Sequence, residues 1–131
     1  MALAAVRLLL DSHVVLWLLA EPERLPRRVV EEVEEETNEK LVSAATIWEL
    51  EIKRASGKLR APHDLAARVR ASGFGELEIG FDHAQAAARL PAHHADPFDR
   101  VLVAQAQIHR LTLVSADPMI ARYDVKMLAA A

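Results

Sequence analysis

The chain has 131 residues, of which 52% are hydrophobic and 27% are charged, and it contains no cysteine. This composition excludes an intrinsically disordered chain, a disulfide scaffold and any site that needs a thiolate. The formal net charge of −3 excludes a protein that coats nucleic acid through an overall positive charge, so a nucleic-acid role would depend on a local site.

Length and hydropathy predict a single domain over residues 1–131 that crosses no membrane. The longest strongly apolar run, residues 14–20, has seven residues, whereas a bilayer needs about 20. Arg7 and Asp11 interrupt the apolar stretch that a signal peptide would keep continuous. We therefore expect a cytoplasmic protein.

Strands and helices are predicted to alternate along the chain. The first half predicts a strand at 7–11, helices at 12–20 and from 25 onward, a strand at 41–43 and a helix at 44–55. The second half predicts a helix at 64–71, a strand at 77–79, helices at 82–90 and 98–109, a strand at 111–114, a short helix from 117 and an edge strand at 125–128.

The best of the predicted strands are continuously apolar, which is typical of a parallel sheet covered on both faces. We therefore expect an α/β fold, a three-layer α/β/α sandwich with a central, mainly parallel sheet of four to five strands.

Acidic residues fall near the predicted ends of the strands. Asp11 ends the first strand, Glu49 lies early in the helix after the second, and Asp117 follows the fourth. Asp96 and Asp99 open the helix that leads into that fourth strand. Ligands of open parallel sheets bind beyond the carboxyl ends of the strands, where the strand order reverses. This pattern places the acids at one edge of the sheet.

Each acid also has a structural explanation. Asp96 and Asp117 each precede a proline and are typical helix caps, and Asp99 would be favoured by the helix dipole. Glu49 and Lys53 are four residues apart and can form an ordinary ion pair on a helix. Asp11 is harder to explain in this way, because it directly follows three leucines and should be partly buried.

Taken together, the acids predict a cation site. Two carboxylates 4 Å apart repel by about 4 kcal/mol at an effective dielectric constant near 20. Such a cluster must take up protons or bind a cation. Oxygen ligands suit Mg²⁺ or Mn²⁺, which can activate water and polarise a phosphoryl oxygen.

Four segments carry a resemblance to a known family. They are LLLDSHVVLWLL (8–19), VSAATIWELEIKRASGKL (42–59), LPAHHADPFDRVLVAQA (90–106) and LTLVSAD (111–117). In these segments the chain resembles the PIN-domain ribonucleases, and more closely the VapC toxins of toxin–antitoxin pairs. The resemblance implies the same α/β/α sandwich that the strand and helix pattern predicts.

The resemblance also implies roles for individual residues. The acidic metal-site quartet of the family matches Asp11, Glu49, Asp99 and Asp117. Asp96 matches a neighbouring acid that is either a direct ligand or an outer partner of the site. Two hydroxyls would support the carboxylates: Ser115, which accompanies the last acid, and Ser12, where many relatives have threonine.

The implied activity is hydrolysis of RNA phosphodiester bonds by water that one or two Mg²⁺ or Mn²⁺ ions activate. The implied partners are an RNA substrate, a cognate antitoxin and a second copy of the chain in a homodimer. Two alternatives stay open: a nuclease of the same fold that processes RNA or cleaves DNA as a housekeeping enzyme, and a non-catalytic binding module.

Several other residues have two interpretations. Arg100 and Lys53 could contact RNA phosphates, or they could be solvated or paired. His93 and His94 match no structural zinc motif, so a loop or capping role is favoured. Trp17 and Trp48 lie in apolar helical stretches, which favours core or dimer packing over base stacking.

Overall fold

The computed structural model describes residues 5–131, which form a five-stranded sheet flanked by helices. The strands are β1 (Arg7–Leu10), β2 (Glu39–Ser43), β3 (Gly75–Leu77), β4 (Thr112–Ser115) and β5 (Met127–Ala129). All neighbouring strands are parallel, in the order β3-β2-β1-β4-β5. The predicted parallel sheet is confirmed; residues 1–4 of the predicted 1–131 domain lie outside the described residues.

Six α-helices and two 3₁₀ turns connect these strands. The helices are α1 (Ser12–Ala20), α2 (Arg27–Glu34), α3 (Ala44–Ala55), α4 (Leu65–Ala71), α5 (Phe81–Arg89) and α6 (Pro97–His109), and the turns are Pro22–Arg24 and Ile120–Arg122. Within residues 5–131, none of the helices combines the length and the hydropathy that crossing a membrane would require.

The central strand separates two hydrophobic cores. Leu8 and Leu10 pack in one core with residues of α1, α2 and α4, and Leu9 packs in the other with residues of α6. Successive strand residues point to opposite faces, so an uninterrupted leucine run supplies both cores. The sheet therefore lies between two helical layers, and the predicted α/β/α sandwich is confirmed.

Most element boundaries differ from the predictions by one to three residues, and three of these differences have a reason in the structure. The third strand begins at Gly75 rather than residue 77, because this glycine pairs with Leu41, whose Cδ2 would lie 2.8 Å from an added Cβ. The Asp117 carboxylate accepts the Met119 N–H in a turn, so helical structure begins only at Ile120. The last strand is Met127–Ala129 rather than 125–128, and its pairing with β4 starts at the Lys126 carbonyl.

Candidate active site

The sheet order places the first and last predicted acids at its topological switch point. β2 and β3 lie on one side of β1, whereas β4 and β5 lie on the other. Asp11 directly follows β1, and its N–H donates to the Val114 carbonyl of β4 at 3.1 Å. Asp117 lies two residues beyond the end of β4. This is the edge at which ligands of open α/β sheets bind.

A cleft of about 490 Å³ opens at this edge, and all five predicted acids line it. They are Asp11, Glu49, Asp96, Asp99 and Asp117. Lys53 is the one lysine or arginine among the described residues that line the cleft. The structure therefore brings the acids together from four separate parts of the chain, and it leaves an excess of negative charge between them.

Asp11 lies at the base of the cleft and caps a helix. Its Oδ1 accepts the Val14 N–H at 3.2 Å, in the first turn of α1, and the residue is buried. Burial raises the pKa of Asp11, and the nearby Ser115 hydroxyl and the Val14 N–H oppose this by favouring the charged form. Ser115 also accepts the Asp117 backbone N–H at 3.0 Å, so one buried hydroxyl lies close to both acidic residues.

Glu49 reaches the cleft from α3 with both carboxylate oxygens engaged. The Ser12 hydroxyl donates a hydrogen bond to Oε1, and Lys53 Nζ donates a hydrogen bond to Oε2 at 2.8 Å. The Ser12 hydroxyl is thus hydrogen-bonded to one carboxylate of the cleft. The Lys53 contact is the ion pair that its spacing from Glu49 allows, and it raises the pKa of Lys53. In this arrangement the lysine neutralises an acid of the cleft.

Of the five acids, Asp99 has the environment that most strongly disfavours the charged form of its carboxyl. Its pKa is raised to about 7, chiefly by burial and further by the negative charges of Asp96, Glu49 and Asp11, while His94 opposes the shift. A carboxyl that holds its proton near neutral pH in this way marks a place where the protein concentrates negative charge.

His94 also belongs to the site, although its sequence context favoured a loop or capping role. Its Nε2 lies 2.9 Å from Asp99 Oδ2 and 2.8 Å from Asp117 Oδ2. These three residues offer ligand atoms within 4.8 Å of one another. Burial by itself lowers the pKa of His94, but the bond to Asp117 and the charges of Asp99 and Asp96 outweigh it and raise the pKa.

The hydrogen bonds of His94 indicate which of its ring nitrogens carries the proton. The Asp96 N–H donates to Nδ1 at 3.2 Å, so the proton of the neutral ring is on Nε2, the nitrogen that faces Asp99 and Asp117. In this tautomer Nε2 is a donor shared by two carboxylates rather than a lone-pair ligand. Coordination of a metal through Nε2 would move the ring proton to Nδ1 and break the bond to Asp96.

Arg100, a predicted RNA-binding residue, instead holds the segment that carries His94. Its guanidinium donates to a set of backbone carbonyls, those of Ala87, Ala88, Leu90, Pro91 and His94, at 2.8–3.4 Å. The Tyr123 hydroxyl supports the same segment by donating to Pro91 O at 2.8 Å and accepting the His94 N–H at 2.9 Å. These contacts give Arg100 a structural role, and its contact with RNA phosphates stays a prediction.

The donor set of the cleft fits a hard divalent cation. All five acids offer oxygen, the ligand that Mg²⁺ and Mn²⁺ prefer, and their repulsion favours a cation between them. Asp11, Glu49, Asp99 and Asp117 are the residues that could hold such an ion. Asp96 uses Oδ1 to accept the Phe98 N–H at 2.9 Å, which leaves Oδ2 as a fifth candidate ligand.

Comparison with known proteins agrees with this geometry. The family model described as "PIN domain" matches residues 8–126. No curated protein sequence is significantly similar to this chain.

Three solved structures are similar in fold. A chain of VapBC2 from Rickettsia felis, in a complex with a promoter DNA fragment, has a TM-score of 0.72 and 11% identity, with 96% of this chain and 100% of that chain covered. A chain of DNA-bound VapBC from Salmonella typhimurium has a TM-score of 0.70 and 17% identity, with 95% and 98% covered. A chain of a toxin–antitoxin complex from Klebsiella pneumoniae has a TM-score of 0.65 and 19% identity, with 96% and 97% covered. The family model spans most of the chain, including strands β2, β3 and β4 and every acid of the cleft, so the chain belongs to the PIN-domain family.

Proposed function

We propose that this protein is the toxin of a toxin–antitoxin pair and that it hydrolyses RNA phosphodiester bonds with Mg²⁺ or Mn²⁺. The observation that carries the proposal is the convergence of five carboxylates on one cleft at the switch point of the sheet. The membership of the PIN-domain family and the fold shared with chains of VapBC complexes support it.

The proposal assigns a role to each predicted metal-site residue and to the two serines beside them. Asp11, Glu49, Asp99 and Asp117 hold one or two divalent ions, and Asp96 is a further ligand or an outer partner. Such ions polarise a phosphoryl oxygen and supply an activated water as nucleophile. Ser12 holds the Glu49 carboxylate, and Ser115 supports the Asp11 carboxylate and fixes the backbone of Asp117 by accepting its N–H.

Cleavage by an Asp11→Asn variant tests the role of the cleft. Asparagine caps a helix about as well as aspartate, so α1 should keep its cap while the site loses a charge. We expect the wild type to cleave RNA with Mg²⁺ or Mn²⁺ and to stop in EDTA, and we expect the variant to be inactive with metal. The matched control is Asp124→Asn, at an exposed aspartate outside the cleft, which should cleave normally. Intact tRNA, rRNA and mRNA after incubation with folded, Mn²⁺-treated wild type would contradict the proposal.

A metal titration separates this function from a non-catalytic binding module. An ion bound by the folded cleft should raise the melting temperature of the wild type. At an ion concentration of 100 times Kd, the free energy of unfolding should increase by about 3 kcal/mol. Asp11→Asn should respond less. A melting temperature that Mn²⁺ leaves unchanged would favour the binding module.

Growth assays separate a toxin from a housekeeping nuclease. We expect expression of the wild type to arrest growth and co-expression of a small neighbouring gene product, the cognate antitoxin, to restore it. A chain that cleaves RNA without arresting growth would be the housekeeping enzyme. Because its substrate is cellular RNA, the proposal places the protein in the cytoplasm, as one domain over residues 1–131.

We further propose that the protein is a homodimer. Trp48 and Ile52 project from α3 with 60% and 46% exposure, and Trp48 contacts the Phe98 ring edge-on at 5.0 Å. An exposed aromatic cluster of this kind is typical of protein interfaces. Light scattering should give twice the 14.5 kDa chain mass for the wild type and a monomer for Trp48→Glu. A monomeric wild type would rule the dimer out.

A further inference from the structure

We propose that a basic cavity beside the acidic cleft binds the stretch of single-stranded RNA that flanks the scissile phosphate. This cavity has a volume of about 440 Å³ and lies between α1 and the chain at residues 59–68. His13 and Trp17 line both the cavity and the cleft, so the two form one continuous surface. The inference rests on the proposed function, because it concerns how the RNA substrate reaches the acids.

The charges of the two hollows are opposite. Arg24, Arg60 and Arg68 line the basic cavity, against one acid, Glu21. The acidic cleft has five carboxylates and a single lysine, whose Nζ is already 2.8 Å from Glu49. A polyanion is held mainly by cations that neutralise its phosphates, and the cleft by itself does not supply them. The neighbouring cavity does.

The arginines have donors left for a phosphate. Arg60 makes no hydrogen bond or ion pair with any residue between 5 and 131. Arg68 pairs with Asp64 through Nε at 2.9 Å, which leaves its two terminal nitrogens for another acceptor. Arg24 lies 3.4 Å from Glu21 at an exposed position, where ion pairs contribute little. Arginine is well suited to phosphate because its guanidinium donates two parallel hydrogen bonds.

An aromatic group lies at the boundary between the two hollows. Trp17 is partly buried against the core, as its sequence context predicts, and it also lines both hollows. The Arg24 guanidinium lies 4.9 Å from the centre of its ring, and the His13 ring is 5.7 Å away and tilted. Proteins that bind single strands combine basic grooves with aromatic rings and guanidinium planes on which bases stack. The cavity volume is in the range of about 300 to 1,000 Å³ typical of sites for small ligands, which suits an unpaired nucleotide.

Binding of a non-cleaved RNA tests this surface separately from catalysis. The probe is a fluorescein-labelled single-stranded RNA of mixed sequence, titrated in EDTA with the full chain carrying Asp11→Asn. Each of Arg24→Gln and Arg60→Gln should weaken binding about fivefold at 0.1 M salt and reduce the slope of log affinity against log salt by about 0.7. Arg89→Gln is the matched control, since Arg89 is exposed and lines neither hollow. It should leave affinity and slope unchanged.

A second readout reports on Trp17 directly. In a Trp48→Phe background, Trp17 is the one remaining tryptophan. Adding RNA should change the tryptophan fluorescence of this protein, but it should not change that of the same protein with Arg24→Gln and Arg60→Gln. Thermal melts identify any variant that has lost its fold, and Arg60→Lys, which keeps the charge, should retain most of the affinity.

Each outcome decides one of the two proposals. If the wild type cleaves RNA but the arginine variants bind as tightly as the control, the basic cavity is not the RNA surface and the proposed function stands. If the same variants bind RNA normally but lose the antitoxin, the cavity belongs to the antitoxin and the inference is overturned. If binding depends on the arginines but no RNA is ever cleaved, the surface stands and the nuclease function fails.

Discussion

Replacing Asp99 with asparagine should stabilise the metal-free protein. The variant keeps the size and hydrogen-bonding capacity of the side chain and removes its charge. At pH 8 the wild type must ionise a carboxyl whose pKa is raised to about 7 by burial and by Asp96, Glu49 and Asp11. An acid with a raised pKa holds its proton longer when folded than when unfolded, so its ionisation destabilises the fold.

The expected gain can be worked out from the pKa. The difference between 3.8 and about 7 corresponds to about 4 kcal/mol at 1.4 kcal/mol per pKa unit. The Asp99 side chain is 18% exposed and contacts His94, and both features reduce the cost of ionising it. We therefore expect the variant to gain about 2 kcal/mol of stability. For a chain of this size that raises the melting temperature by about 8 °C. The advantage should shrink as pH falls from 7 towards 4, because the folded wild type then keeps Asp99 protonated.

Thermal melts of both proteins between pH 4 and 8 in EDTA measure this effect. Adding Mn²⁺ at pH 8 should reverse the order, since the wild type gains more from a bound cation than the variant. The exposed Asp124→Asn serves as the control and should show neither trend. A variant that melts at or below the wild-type temperature in EDTA at pH 8 would refute the idea that burial and the neighbouring carboxylates make the ionised form of Asp99 unfavourable.

Three further substitutions test the supporting structure. His94→Ala should lower the melting temperature of the metal-free protein more at pH 6 than at pH 9, because the raised pKa of His94 gives stability that is lost as pH rises. Arg100→Lys should lower the free energy of unfolding in urea by about 2 kcal/mol. A single ammonium group cannot replace the two guanidinium nitrogens, which bind the carbonyls of residues 87 and 94 at the same time. Gly75→Ala should cost about 1 kcal/mol, because its Cβ would lie 2.8 Å from Leu41 Cδ2, and Leu41→Ala should reduce that cost.

Much of the fold could be predicted because its signals are local. The leucines of β1 are buried on both faces, and a continuous apolar run indicates that directly. The start of α3 follows from the cap that Ser43 provides, with the Ala45 N–H 3.0 Å from its Oγ. The position of the acids could also be predicted, because parallel strands all end at the same edge.

The remaining features depend on contacts between distant segments. No spacing in the sequence shows that Arg100 reaches back to residues 87–94, or that this brings His94 between Asp99 and Asp117. The hint that exists is the short distance in sequence from His94 to the Asp96 cap, which limits where its ring can lie. The start of β3 escaped prediction because glycine is depleted in strands, and Gly75 occurs there only to admit a side chain of β2.

The capping interpretation of the acids is compatible with the proposal that they bind a metal ion. Asp11, Asp96 and Asp117 each use Oδ1 to accept a backbone N–H two or three residues ahead, and all three line the cleft. A carboxylate fixed at one oxygen by the backbone has lost its rotational freedom before any ligand arrives, which lowers the entropic cost of using the other oxygen. Substitution by asparagine should therefore spare the fold and weaken metal binding, whereas alanine should cost about 1 kcal/mol in stability in addition through loss of the cap. Calorimetric titration with Mn²⁺ beside urea unfolding of the Asn and Ala variants distinguishes the two effects, and asparagine variants that bind Mn²⁺ like the wild type would show that these acids are caps alone.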